Sequence, residues 1–156
     1  MLILLDIDGV MVPANSWKRP EFLNDGFYAF SSESARALQK IISEKSADIL
    51  LTTSHKTKYT IKEWKSIFDL RGIRVKNISC LPENVNFLSR KDEIMKWVNA
   101  NLSVTDFIII DDDKSLNGLP SFLKNKLVQT NASIGLTYNL AIETLQAIQK
   151  ERHIFV

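Results

Sequence analysis

The sequence predicts an α/β fold with a central parallel sheet and helices on both faces. Three observations carry that prediction. Short continuous apolar runs recur along the chain, as strands covered on both faces require. Segments with apolar residues at helical spacing lie between them, the alternation expected of a parallel sheet. The three strongest runs also stop at polar residues: Asp6 and Asp8; Thr52, Thr53 and Ser54; Asp111, Asp112 and Asp113. Open parallel sheets bind ligands at strand carboxyl ends, near the point where strand order reverses.

The elements follow in order. Leu2–Leu5 is the first strand. Residues 31–45 read as a helix, with Ala35, Leu38, Ile41 and Ile42 on one face and Ser31 or Ser32 as its cap. A second strand spans residues 48–52. Ile61, Trp64 and Phe68 mark the next helix, which Gly72 ends. A short strand follows at residues 73–75 or 78–81. Ser89 and Asp92 have capping-box spacing before a helix with Ile94, Trp97 and Val98 turned inward. Residues 107–110 and 127–130 are strands, and Ala141, Leu145 and Ile148 give the closing helix. No repeat or linker divides the chain, so residues 1–156 are expected to be one domain.

Composition narrows the class. Of 156 residues, 45% are hydrophobic and 24% charged, ordinary for a soluble globular protein. The net charge of +2 permits an anionic partner without requiring one. The single Cys80 has no disulfide partner within the chain; a reducing compartment and a buried, apolar-like role are expected. No apolar run approaches the roughly 18 residues of a membrane span, and no signal-peptide pattern opens the chain. A cytoplasmic protein with no membrane partner and no cleavable leader is expected, since the first polar strand end, at Asp6, already lies six residues from the start. The sequence implies no oligomeric state.

If the three polar strand ends are neighbours, their carboxylates need a counter-charge. A hard divalent cation with oxygen ligands, Mg2+, supplies it and suits phosphate chemistry. Two carboxylates then divide the work: one attacks phosphorus, giving an aspartyl phosphate, and the other protonates the leaving oxygen and later activates water. The offset in "DID" brings both to one strand end.

"LLDIDGV", "ILLTT", "SRKDEI" and "FIIIDDD" resemble, in order, the four motifs of the haloacid dehalogenase (HAD) superfamily, whose phosphatase branch carries Asp-x-Asp-Gly. More narrowly, "LLDIDGVMVP", "ADILLTTSHK" and "RKDEIMKWV…FIIIDDD" resemble the HAD domain of Swiss-army-knife RNA repair proteins. The resemblance implies a three-layer Rossmann-like fold and a phosphoric monoester hydrolase. It implies Asp6 as nucleophile and Asp8 as general acid/base, with Mg2+ held by the Asp6 carboxylate, the Asp8 carbonyl and Asp112 or Asp111. The hydroxyl on the phosphoryl group is Thr52, or Thr53 if the strand runs one residue further. The basic residue is Arg90 or Lys91: Arg90 has the better spacing, Lys91 the more usual residue type.

In that superfamily, inserted cap domains usually shield the site and select small molecules. Only about twenty residues follow Val10 before the next helix, enough for a flap but not for a cap. A nucleic-acid end or a nucleotide phosphate is the expected substrate. The rival readings are a phosphotransferase with the same residues and a non-catalytic module that holds phosphate ends. Trp64 and Trp97 sit on helical stripes and are expected in the core; Trp17 and His55 lie beside motifs and are candidates for substrate contact.

Overall fold

Residues 2–5 are apolar throughout, and pleating sends Ile3 and Leu5 to one face of the sheet and Leu4 to the other. A computed structural model describes residues 1–14, 17 and 19–154. Its strands are β1 (Leu2–Leu5), β2 (Asp48–Leu51), β3 (Ile78–Cys80), β4 (Phe107–Asp111) and β5 (Leu127–Gln129). They form one sheet in the order β3-β2-β1-β4-β5, and every pairing is parallel. The helices are α1 (Ser32–Lys45), α2 (Ile61–Leu70), α3 (Arg90–Ala100), α4 (Ser121–Lys124) and α5 (Tyr138–Ile154), with a 3-10 turn at Lys114–Gly118.

The sheet separates two apolar cores. Ile3, Leu5, Ile49, Leu51, Ile108 and Ile110 meet α1, α2 and α5 through Leu38, Ile41, Trp64, Phe68 and Ala141. Leu4, Leu50 and Ile109 meet α3 and the segment after β4 through Ile94, Val98, Leu116 and Leu123. Each such side chain, once buried, contributes about 1.5–3 kcal/mol. This is the three-layer α/β fold expected. The chain runs outward from β1 through β2 to β3, and α3 then returns it across the sheet to β4. Strand order therefore reverses between β1 and β4, which sets Asp6 and Asp111 at the switch point.

The caps refine the sequence reading. Ser31 caps α1, its hydroxyl accepting from the Ser34 N–H at 3.0 Å. The reciprocal capping box belongs to Thr60 and Glu63 at the head of α2; at α3 only the Ser89 half is formed, on the Asp92 N–H. Asp92 is one methylene shorter than the usual Glu, which limits its reach back. In α2 the buried stripe is Trp64, Ile67 and Phe68, while Ile61 is exposed at the first turn. Of the two candidate positions for the short strand, the later one forms; Ile73 and Val75 are buried as loop residues. Trp97 is partly buried, edge-on to Phe107. Between β1 and α1 the described residues form a small hairpin closed by a Phe22–Tyr28 bridge. None of the described helices is long and apolar enough to cross a membrane.

Candidate active site

The ends of β1, β2 and β4 and the first turn of α3 build the site. The Asp6 N–H donates to the Ile110 carbonyl at 3.1 Å, and the Thr52 N–H to the Leu5 carbonyl at 2.9 Å. Sheet pairing thus continues one step past the strands and fixes both residues. After Asp6 the chain turns sharply. The Ile7 carbonyl accepts from the N–H groups of Val10, Met11 and Val12, and the Thr130 hydroxyl donates to the Gly9 carbonyl at 2.7 Å.

Gly9 permits that turn for two reasons. Its φ is +78°, and a Cβ there would overlap the Asp112 carboxylate. Gly9→Ala is therefore expected to cost about 1–3 kcal/mol of stability and to displace Asp112. Denaturant unfolding and magnesium titration of the variant measure the two effects.

Asp6, Asp111 and Asp112 each bring a carboxylate oxygen within 4.8 Å of the others. Asp6 and Asp111 are buried. Arg90 reaches into this cluster from the start of α3. Its Nη1 lies 2.6 Å from Asp111 Oδ2, 3.4 Å from Asp6 Oδ1 and 3.4 Å from Thr52 Oγ1. One guanidinium thus stands against Asp6 and Asp111, Asp112 completes the cluster, and this oxygen-only donor set fits a hard divalent cation.

Burial first, and then the Asp111 charge, push the Asp6 carboxyl from 3.8 up to about 8; Arg90 and the Ile7 N–H pull it down, and contact with Asp112 adds to the rise. Burial likewise raises Asp111 against the pull of Arg90. Burial works against the charge on Arg90, but Asp111 and Asp6 hold the guanidinium protonated.

A pH dependence follows. Metal-free, folded Asp6 binds its proton more tightly than unfolded Asp6. Its contribution to stability is complete below about pH 4 and is lost as pH rises through about 8. Asp6→Asn removes this loss. Under chelator, the melting temperature of Asp6→Asn minus that of wild type should therefore grow from pH 5 to pH 8. Magnesium should shrink the difference by stabilising wild type.

The remaining sequence candidates separate by geometry. Lys91 points away, its Nζ beside Gly118, because consecutive helical residues are about 100° apart. Thr53 is buried, and its hydroxyl accepts from the His55 N–H at 3.3 Å; Thr52 is the hydroxyl beside Arg90. Asp113 caps the 3-10 turn through the Ser115 N–H. Asp8 is half-exposed, and its Oδ2 lies 2.8 Å from His55 Nε2. Trp17 is exposed in the loop after β1; Asn15, Ser16 and Lys18 of that loop lie outside the described residues. Cys80 is half-buried, and burial pushes its thiol up, the opposite of nucleophile activation.

Two charged residues were not singled out in the sequence. Glu93 lies on the same face of α3 as Arg90, 3.8 Å from its Nε, and accepts from buried Lys56 at 3.1 Å. It thereby ties the guanidinium to the loop after β2. The i,i+3 spacing of Arg90 and Glu93 was the available signal.

The family described as the HAD domain in Swiss Army Knife RNA repair proteins matches residues 2–141, from β1 into α5. The chain belongs to this family. No curated protein and no solved structure matches it. In this HAD domain the cluster of Asp6, Asp111 and Asp112 is compatible with metal binding.

Proposed function

We propose that this HAD domain hydrolyses phosphate monoesters through an aspartyl phosphate on Asp6, acting on a nucleic-acid end or a nucleotide. The observation that carries the reading is the convergence of Asp6, Asp111 and Asp112 with Arg90 and Thr52 at the switch point. Magnesium would be held by the Asp6 carboxylate, the Asp8 carbonyl and Asp112. Asp111 is the weaker candidate because its oxygens already accept from Arg90 and the Asp113 N–H. The metal would supply charge neutralisation for the phosphoryl oxygens and for the acids around it.

The chain's own residues do the rest. Asp6 attacks phosphorus, and the bond to the leaving oxygen breaks as Asp8 gives that oxygen a proton. Asp8 then takes a proton from water, which attacks phosphorus, releases inorganic phosphate and restores Asp6. Arg90 and the Thr52 hydroxyl bind the phosphoryl oxygens throughout, positioned before the reaction starts. The RNA repair family and the short hairpin described between β1 and α1 support a large, end-phosphorylated substrate.

A panel tests this reading: 3′- and 5′-phosphorylated RNA and DNA, nucleotides, phosphopeptides and sugar phosphates, each with magnesium and with chelator. Magnesium-dependent phosphate release, fastest on nucleic-acid ends or nucleotides, is expected. Tight binding of an end without turnover would replace catalysis with a binding role. Transfer of phosphate to an acceptor other than water would make the protein a phosphotransferase.

A further inference from the structure

His55 makes a contact that the reaction above does not use. Its Nε2 lies 2.8 Å from Asp8 Oδ2, and its side chain is only 11% exposed. The ring is held edge-on by Phe27 at 5.5 Å and Tyr28 at 5.6 Å, both from the small hairpin between β1 and α1. Its backbone N–H is tied to Thr53 Oγ1, so ring and main chain are both anchored. The other ring nitrogen, Nδ1, is buried with no hydrogen-bond partner among the described residues.

That orphan nitrogen selects a tautomer. A proton on Nδ1 would be a buried donor with no acceptor among the described residues, costing about 1–3 kcal/mol. With the proton on Nε2, the Asp8 carboxylate satisfies it, and Nδ1 is only an unmatched acceptor. His55 is then a fixed donor to one oxygen of Asp8.

Resting on the phosphomonoesterase reading, we propose that His55 is a positioning residue that commits Asp8 Oδ2 to a hydrogen bond, so that Oδ1 carries the proton passed to the leaving oxygen. Asp8 is half-exposed, and among the described residues His55 is the hydrogen-bond partner of its side chain. A carboxyl left to rotate in water would present its proton in several directions, and misplacement by about 1 Å costs about 100-fold. The hairpin that supplies Phe27 and Tyr28 thereby serves catalysis without touching the phosphate.

The test uses leaving-group dependence, because proton donation matters for an alkoxide and little for a good leaving group. Single-turnover rates are measured for p-nitrophenyl phosphate and for a nucleoside 3′-phosphate, in wild type, His55→Phe and His55→Gln. Expected for His55→Phe is a loss of about 10-fold or more on the nucleotide, with the nitrophenyl rate within about 3-fold, and partial rescue in His55→Gln, which restores an N–H donor. Equal losses on both substrates, or no loss on either, would overturn the proposal. A wild type inactive on both substrates would instead remove the phosphatase reading.

A second measurement needs no turnover. The chain has two histidines, so in a His153→Gln background the nitrogen-15 spectrum of the remaining ring reports His55 alone. In the neutral ring the proton is expected on Nε2. A neutral ring with its proton on Nδ1 would overturn the assignment.

Discussion

Asp6→Asn is expected to abolish phosphate release, by about 1,000-fold or more, while making the metal-free protein more stable at pH 8. The two effects share one cause. Asp6 is buried beside Asp111, and its carboxyl is pushed up to about 8, so its ionised form is stored at a cost to folding. The amide has nearly the same shape and carries no charge, and it cannot form an acyl phosphate under these conditions. A merely structural acid would lose stability when replaced, and a residue outside the chemistry would leave the rate unchanged. Steady-state rates on p-nitrophenyl phosphate with magnesium, and thermal melts with chelator, read the two effects separately.

Arg90→Ala is expected to have the second largest effect. Removing the guanidinium leaves Asp6 and Asp111 facing each other with no cation in the metal-free protein, and breaking such a buried pair costs about 3–5 kcal/mol. The loss should be greatest near pH 8 and smaller near pH 5, where the two acids escape repulsion by taking up protons. Turnover should fall by about 100-fold or more, because the same Nη1 stands beside Asp6 and Thr52 where a phosphoryl group would bind. Arg90→Lys keeps the charge but loses the planar fork, so an intermediate rate is expected. Lys91→Ala should change activity by less than about 3-fold, since Lys91 lies against Gly118. Equal losses from Arg90→Ala and Lys91→Ala would contradict this division.

These contrasts show which parts of the site were legible in sequence. The strands were legible because burial on both faces writes itself as unbroken apolar runs, and their polar ends mark one edge of a parallel sheet. Asp6 and Asp8 followed from one strand end, Asp111 and Asp112 from another. Arg90 and Lys91 could not be separated by pattern alone, because a step of one residue turns a helical side chain by about 100°. Only the position of α3 against β4 decides which one meets the acids. The contact of His55 with Asp8 spans 47 residues and leaves no periodic trace; its place just after Thr52, Thr53 and Ser54 was the available hint. The exposed Ile61 shows the converse. Helical spacing places a residue on a face, but at a helix's first turn there can be nothing packed against that face.

Trapping the covalent intermediate tests the nucleophile most directly. Protein turning over a phosphate monoester with magnesium is quenched in acid, digested and mapped by mass spectrometry. One phosphate on the peptide containing Asp6 is predicted, absent in Asp6→Asn and accumulated in Asp8→Asn, where water attack is slowed. Phosphate on another residue, or undiminished turnover in Asp6→Asn, would contradict the assignment.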